Sequence, residues 1–409
     1  MTTTEARAQG DDTGRRWRGW LFAAYAGSVL VVSLQKGFFT PDNNFAIFRA
    51  AFGNLLAGRD MYAPHPAQFA DLFKYSPTFA VLFAPLALLP LPLSIVLWSA
   101  LNAFLLWFAV DRLIPGHRAT LVLALVYFEV LRNMQRAQSN SLVTALIILA
   151  FVMLERRRQL GAALYICTGI CVKLFPLAAL SLAIFHARRL RFALVFGTVL
   201  LAFIALPLLF VSPHELGAQY LAWKRVEAAD ALAMGGGSGA GLYGGVMEQF
   251  RIWFGVQWPN WPMQLAGTGI LLLPIALRWR EWHTWDFRLR YLCSLLVYLV
   301  IFNHQSESPS FVIAVTGIAI WYVCTPRTRL HTAIMALTIL LVSISSTDIT
   351  PRWLYNHAFV PYRVKTLPCA LAWVLMEVEL LRRPPQRSGE RAEVYELDVA
   401  EPEAATKRG

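Results

Sequence analysis

The residues best suited to chemistry lie in a polar stretch that interrupts apolar sequence. The stretch FNHQSESPSF, residues 302–311, places His304 and Glu307 between the apolar segments LCSLLVYLVIF and VIAVTGIAIWYV. An imidazole or a carboxylate can accept a proton from a hydroxyl group. Pro at the start of a helix with a serine cap, here Ser306 or Ser308, is a common helix beginning. Capping would explain the serines, but it would not explain the histidine and the glutamate.

The composition indicates what kind of protein carries this stretch. The 409 residues are 57% hydrophobic and 15% charged, with a formal net charge of +12. The basic residues form short clusters between apolar runs instead of one patch, so we expect no nucleic-acid partner. Runs such as LVTALIILAFVML are continuously apolar, which favours spanning helices over the alternating strands of a barrel. We therefore predict an all-α polytopic membrane protein.

Seven basic clusters determine the predicted topology, because Lys and Arg concentrate on the cytoplasmic side of a membrane. Placing all seven inside gives twelve spans within 18–381, flanked by a cytoplasmic segment 1–17 and a disordered cytoplasmic tail 382–409. The proline-interrupted segment 76–91 is left over, and we expect it to be re-entrant or interfacial on the outer side. The predicted spans are 18–37, 94–111, 118–134, 140–154, 159–173, 175–187, 191–211, 264–278, 288–303, 310–324, 330–345 and 365–381.

This topology brings several polar side chains to the outer side, where such a cluster is typical of a functional site. Glu129 shares a helical stripe with Arg132 and Arg136, so it could simply neutralise one of them. The two arginines could equally reach lipid headgroups. Lys173 lies where two short apolar segments meet, and a phosphate is one candidate partner. The candidate substrate contacts are Asn43, Asn44, Lys74, Tyr75, Arg132, Arg136, Gln138, Asn140 and Lys173.

Two long loops, 38–93 and 212–263, are predicted on the outer side. The first has apolar residues at helical spacing within 43–57, which predicts an amphipathic helix suited to the membrane surface. The second contains MGGGSGAGLYGG, residues 234–245, which could be a mobile lid or a flexible linker. No Lys-Ser/Thr pair follows these glycines, so they do not match a nucleotide phosphate-binding loop.

Several segments follow one another in an order that occurs in a known family. The first are NNFAIFRAAFGNLLAGRDMYAP, FKYSPTFAVLFAPLALLP and VLWSALNAFLL. AQSNSLVTALIILA follows, with Ala137 where the family has glycine, and then LGAALYICTGICVKLFPLAAL. NHQSESPSF is similar to the late histidine-bearing loop of one branch. Over residues 38–325 the chain thus resembles glycosyltransferase family 87, once catalogued as a domain of unknown function.

The resemblance implies a GT-C-type fold and a hexosyltransferase that uses a polyprenyl-phosphate sugar. The family's best-known members transfer mannose in mycobacterial glycolipid assembly. By resemblance, this chain would be a multi-pass protein of the bacterial cytoplasmic (inner) membrane, with its active site facing the periplasm or exterior. Its acceptor would be a lipid or a glycan. The leaving phosphate would need cations, for which Lys74, Lys173 and Arg136 are candidates. We expect no cofactor and no metal, since no ligand pair has a spacing typical of a metal site.

The resemblance also indicates where the catalytic base is expected. Family members carry an aspartate in an Asp-Phe-x-Val-Tyr pattern in the first outer loop, where it is expected to accept the acceptor's proton. The matching stretch here is NFAIF, with Asn44 at the aspartate position and Asp42 two residues earlier. Asp42 is then the expected catalytic base, or else the N-cap of a helix at 43–57. Glu307 and His304 are the residues expected to assist or replace it in catalysis.

A polytopic lipid or solute transporter, or a flippase, is the alternative function. It would predict discontinuous helices and a repeat of the first half in the second half. The long first outer loop has no counterpart in the second half. Release of sugar from a polyprenyl-phosphate donor by the purified protein distinguishes the two classes, because a transporter would release none.

Overall fold

The computed structural model describes residues 3–40, 42–233, 244–345, 347 and 349–382, and every regular element in that part of the chain is helical. The α-helices are α1 (Thr3–Leu34), α2 (Asn43–Leu56), α3 (Pro77–Ala87), α4 (Leu91–Leu113), α5 (His117–Gln135), α6 (Asn140–Glu155), α7 (Gln159–Val172), α8 (Arg189–Ala205), α9 (Pro213–Ala233), α10 (Val246–Phe254), α11 (Asn260–Leu277), α12 (Trp285–Ile301), α13 (Phe311–Cys324), α14 (Arg329–Thr338), α15 (Arg352–Leu354) and α16 (Thr366–Leu381). Shorter 3-10 or π segments include Gln35–Phe39, Phe175–Phe185, Leu206–Leu209, Ser308–Ser310 and Ile339–Ile344.

Each of the twelve predicted spans coincides with helical structure. Within the described residues, three stretches are long and apolar enough to be candidates to cross a membrane: Gly14–Phe39, Leu91–Leu113 and Arg189–Leu209. Other apolar helices are shorter, among them α6 and α7. The helix α1 extends back through most of the predicted N-terminal segment. Apart from residue 382, the predicted disordered tail lies outside the described residues.

The centre of the bundle is formed by α6, α12 and α13, whose side chains are buried on all sides. A helix that is apolar around its whole circumference is typical of such a position. Gly317 allows α13 to approach α12 closely, since a Cβ atom there would lie 2.7 Å from the carbonyl oxygen of Cys293. The helices α4 and α5 pack outside this centre.

The sequence predicted that the apolar side of α2 would lie on the membrane surface. In the structure this side packs on protein instead. Phe45, Phe48 and Leu55 are each at most 1% exposed. The Phe48 ring makes edge contacts with aromatic rings of the 75–83 region and α4. Arg49 strengthens the contact by donating to the carbonyl oxygen of Leu89, just beyond the end of α3. The apolar stripe therefore serves helix–helix packing.

The second long loop is largely helical, which the sequence did not predict. Its first half is α9, which packs over the first long loop. Gln219 Nε2 donates to the carbonyl oxygen of Arg59 at 2.8 Å, and Trp223 Nε1 donates to that of Lys74 at 3.2 Å. Most of the glycine-rich stretch lies outside the described residues, but Gly244 N at its end donates to the carbonyl oxygen of Ser306 at 2.6 Å.

The bundle has two chemically different ends. At the first, here called the arginine end, Arg18 pairs with Asp111, and Arg288 pairs with Glu155. At the second, here called the loop end, residues 42–44, 136–140 and 302–310 meet. The helix α4 runs from one end to the other, a length of roughly 34 Å for 23 residues. The basic clusters that were predicted to share one side contribute the ion pairs of the arginine end.

Candidate functional site

A lysine and an amide meet at the loop end because α6 and α7 form a hairpin. The two helices are joined by residues 156–158, so the first residue of α6 lies beside the residue that follows α7. Lys173 Nζ donates to Asn140 Oδ1 at 2.7 Å. Asn140 is 1% exposed, and its Nδ2 has no hydrogen-bond partner among the described residues. A buried amide N–H of this kind can donate to a bound ligand.

Glu307 lies against the same group. Its Oε2 is 3.4 Å from Nε2 of Gln138, and its charge acts on the Lys173 ammonium. Gln138 is 7% exposed, whereas Glu307 and Lys173 are half-buried. One carboxylate, one ammonium group and two amides from three separate chain segments are thereby brought together. The sequence predicted all four as site residues.

The serines of this loop do not cap α13, which corrects the sequence interpretation. A 3-10 turn, Ser308–Ser310, precedes the helix, and no side chain caps either element. The Ser306 hydroxyl instead donates to the carbonyl oxygen of Val300, and Lys365 Nζ donates to the Ser308 hydroxyl at 2.6 Å. The loop is therefore held by α12 and by the residue just before α16.

Tyr75 completes the group from the first long loop. Burial raises the pKa of its phenol, and the nearby Glu307 carboxylate raises this pKa further. The phenol therefore remains protonated and can donate a hydrogen bond. Its ring stacks on Phe79 with centroids 4.8 Å apart, and its carbonyl oxygen accepts from the Tyr62 hydroxyl at 2.7 Å.

Asp42 occupies the capping position that the sequence allowed. Its Oδ1 accepts from the backbone N of Asn44 at 3.0 Å, at the start of α2. Its Oδ2 pairs with Lys36 Nζ at 3.1 Å. Asn44 Nδ2 donates to the carbonyl oxygen of Arg136 at 3.0 Å, which joins this helix start to the turn before α6. Asp42 thus lies at the loop end, with both oxygens engaged.

Arg132 is part of the packing at this end. It is 9% exposed, pairs with Glu129, and donates from Nη2 to the carbonyl oxygen of Ser343 at 2.9 Å. Its guanidinium group is therefore held by protein and does not reach lipid headgroups. This arrangement leaves Arg132 out of our proposed substrate contacts, although the sequence singled it out.

The remaining predicted residues surround the group. Arg136 is exposed, and Asn43 Oδ1 accepts from the backbone N of Ala70 at 2.7 Å. Lys74 is half-buried below α9, and its carbonyl oxygen accepts from Trp223. His304 Nδ1 lies 3.5 Å from Gln264 Nε2 of α11, so the histidine borders a different helix from Glu307.

Sequence reasoning missed two lysines of the loop end. Lys36 pairs with Asp42, and Lys365 bonds to Ser308. Each is a lone lysine at the edge of an apolar segment, the signal that singled out Lys173. A consistent use of that signal would have found both.

This arrangement can accept a proton and hold an anion. A carboxylate within reach of a hydroxyl group is a general base, and an ammonium group with amide N–H donors stabilises an oxyanion such as phosphate. Group transfer from a phosphate-bearing donor needs both functions.

Two solved structures that this chain resembles weakly are archaeal. One is the oligosaccharyltransferase AglB from Archaeoglobus fulgidus in complex with an inhibitory peptide and a dolichol-phosphate, and another is the Archaeoglobus fulgidus oligosaccharyltransferase in the apo form. Both are 10% identical to this chain with a TM-score of 0.40, and they cover 90% of it. The chain spans 56% and 57% of their lengths. No curated protein matched the sequence.

The family model for glycosyltransferase family 87 matches residues 73–302, more than half of the chain. The matched range contains Lys74, Gln138 and Lys173. It begins after Asp42 and ends five residues before Glu307. The chain therefore belongs to glycosyltransferase family 87.

Proposed function

We propose that this protein transfers a hexose, with mannose as the first candidate, from a polyprenyl-phosphate donor to a lipid or glycan acceptor. The reaction takes place on the extracytoplasmic face of a bacterial cytoplasmic membrane. The observation that carries this proposal is the group formed by Lys173, Asn140, Gln138 and Glu307 at the loop end. It combines an anion-binding side with a proton acceptor, as transfer from a sugar phosphate requires.

The donor phosphate binds between Lys173 and the free amide N–H of Asn140. The sixteen residues of α6 span about 24 Å, less than the roughly 30 Å of a hydrocarbon core. A helix of this length centred in the membrane begins below the headgroups, so its start can meet a lipid-linked phosphate whose prenyl chain stays in the bilayer. The protonated Tyr75 phenol supplies a further donor to the leaving phosphate.

Glu307 accepts the proton of the acceptor hydroxyl. The acceptor oxygen then bonds to the anomeric carbon, the bond from that carbon to the phosphate oxygen breaks, and polyprenyl phosphate leaves beside Lys173. Two observations support Glu307 over Asp42, the residue that the family pattern implies. Glu307 lies 3.4 Å from Gln138 Nε2, two residues before Asn140, and its charge acts on Lys173, whereas Asp42 is engaged by a helix start and by Lys36. His304 borders the acceptor side, and Asp42 positions α2.

The topology that fits this function has twelve spans, both termini in the cytoplasm and the loop end outside. The catalytic domain is then 18–381, and both long loops, 38–93 and 212–263, cover the site from outside. In support of this topology, the ion pairs of the arginine end join basic clusters that share the cytoplasmic side by the positive-inside rule.

A donor panel tests the proposal. The purified protein is incubated with polyprenyl-phosphate mannose, glucose or galactose and an extract of bacterial membrane lipids, and the products are identified by mass. We expect one donor to yield a lipid heavier by one hexose, with release of polyprenyl phosphate.

The Glu307→Gln protein at equal concentration is the control, and it should give almost no product. Folded wild-type protein that leaves every donor intact, or that moves intact donor between the leaflets of vesicles, contradicts the proposal and favours a transporter.

A further inference from the structure

A second polar cavity lies at the arginine end, away from the candidate active site. It has a volume of about 410 Å³ and opens between the end of α6 and the starts of α7 and α8. This volume is within the range of small-molecule sites, roughly 300–1,000 Å³. The fourteen residues of α7 separate it from Lys173 by about 21 Å. The proposed transfer reaction does not use this cavity.

The cavity carries an excess of positive charge. Four arginines line it, Arg157, Arg188, Arg189 and Arg288, together with one carboxylate, Glu155. That carboxylate already pairs with Arg288 through two contacts of 2.7 Å, from Nε and Nη2. The remaining Nη1 of Arg288 donates to the carbonyl oxygen of Trp282. Three guanidinium groups at the rim are therefore left without a carboxylate in the lining.

Two helix starts add to this charge. Neither α7 nor α8 has a side-chain cap, and neither has an acidic residue in its first turn. The unbonded N–H groups and the dipole at a helix N-terminus attract anions. Gln159 Nε2 donates to the carbonyl oxygen of Arg188 at 3.2 Å, which ties the two helix starts together at the cavity. Arginine at such a position is unfavourable unless an anion is nearby.

The rim arginines are partly held in place. The Arg189 guanidinium lies 5.1 Å from the Trp282 ring centroid, and its Nε donates to the carbonyl oxygen of His186 at 3.2 Å. The terminal nitrogens of Arg189 remain for a ligand. A ligand that recruits Arg189 would meet this side chain already near position, which lowers the entropic cost of binding.

We propose that this cavity binds the phosphate group of an anion, as a phosphodiester or phosphomonoester. Guanidinium groups match phosphate oxygens in geometry, and helix N-termini complete such sites. The source of the phosphate is either a phospholipid headgroup or a soluble phosphate. The exposed leucines Leu190, Leu194 and Leu201 continue from the cavity along one face of α8, where acyl chains could lie. This favours a lipid.

A pair of double variants tests the site without any transferase assay. Arg157→Gln/Arg188→Gln removes two charges that line the cavity. Arg158→Gln/Arg191→Gln removes two exposed arginines that do not line it, one just before α7 and one in the first turn of α8. Both variants lower the charge of this end equally, so a general surface-charge effect would be the same in both. Binding is measured by native mass spectrometry with phosphatidylglycerol and phosphatidylcholine, and by thermal shift with inorganic phosphate.

We expect wild-type protein and the Arg158/Arg191 variant to retain phosphatidylglycerol, and the Arg157/Arg188 variant to bind it at least about tenfold more weakly. Binding of inorganic phosphate with the same dependence on the variants would identify a soluble phosphate as the source and would still support the site. Equal losses in both variants, or no binding of either probe to the wild-type protein, would overturn the proposal.

Discussion

Charged side chains have different partners at the two ends of the bundle. At the arginine end, carboxylates are engaged by arginines, as in the bidentate pair of Glu155 with Arg288. At the loop end, Lys173 and Glu307 are each held by an amide, Asn140 and Gln138 respectively. A bidentate ion pair saturates both partners, whereas an amide leaves most of the charge available. This difference indicates that the pair of Glu155 with Arg288 fixes helices, whereas the group around Lys173 and Glu307 can accept a substrate.

The largest effect is expected at Glu307. Glu307→Gln keeps the side-chain volume and removes the basicity, so turnover should fall about a hundredfold to ten-thousandfold. The rate of hexose transfer at saturating donor measures it, with donor binding as the check that the site is intact. If the variant keeps more than about a tenth of wild-type turnover, Glu307 is not the base.

Replacement of a carboxylate at the arginine end should lower the free energy of unfolding and leave the transfer rate unchanged. Glu155→Gln leaves the Arg288 charge partly buried and uncompensated, which typically costs about 3–5 kcal/mol. The pair of Arg290 with Asp286 provides the control, because the Asp286 side chain is 50% exposed and Arg290 keeps a second carboxylate partner, Glu379. Asp286→Asn should cost less than about 1 kcal/mol.

Denaturation in detergent measures the free energy of unfolding of both variants. Turnover per folded molecule should stay near the wild-type value in both. A stability loss that is equal in the two variants would show that the burial of the first pair contributes nothing.

Removing the lysine of the candidate site should weaken transition-state stabilisation. Lys173→Met removes the cation that faces the leaving phosphate, and such losses typically cost about a hundredfold to a thousandfold in rate. Lys36→Met is the control, because Lys36 is a cation at the same end that pairs with Asp42. Measurement of kcat and KM for the donor distinguishes the effects of the two variants. Equal effects would show that the loop end needs only positive charge.

The smallest effect is expected at Asp42. Asp42→Ala removes the cap of α2 and should cost about 1 kcal/mol of stability. Asp42→Asn keeps an oxygen acceptor for the Asn44 N–H and should keep most of the stability. Thermal unfolding and turnover are compared for both variants. If the Asn variant loses turnover as fully as Glu307→Gln, the family pattern identifies the base and our proposal for Glu307 fails.

The helices could be predicted from the sequence because continuous apolar runs impose them. The environment of those runs could not. The spacing of Phe45, Phe48 and Phe52 is the same whether lipid or protein covers these side chains, and only the fold shows that protein covers them. The helix α9 was missed because its sequence is polar and carries no strong period. Its partners are carbonyl oxygens of a loop more than a hundred residues earlier.

The sequence predicted which residues belong to the candidate site, but it did not predict which of them contact each other. Polar residues at the ends of apolar runs singled out Gln138, Asn140, Lys173 and Glu307, which the structure brings together. The sequence left open which arginine, if either, Glu129 neutralises, and the structure pairs it with Arg132, three residues later. The contact of Ser308 with Lys365 crosses 57 residues, so local spacing suggested a helix cap instead.

The central claim is that the two ends face opposite sides of the membrane, with the loop end outside. Single cysteines at Arg59 and at Arg158, both exposed, report on the loop end and the arginine end respectively. Four of the five native cysteines are buried and the fifth is partly buried, so the unaltered chain gives the background. Labelling of intact cells with a membrane-impermeant maleimide should modify Arg59→Cys and leave Arg158→Cys protected until the cells are lysed. Labelling of Arg158→Cys in intact cells, with Arg59→Cys protected, would contradict the account.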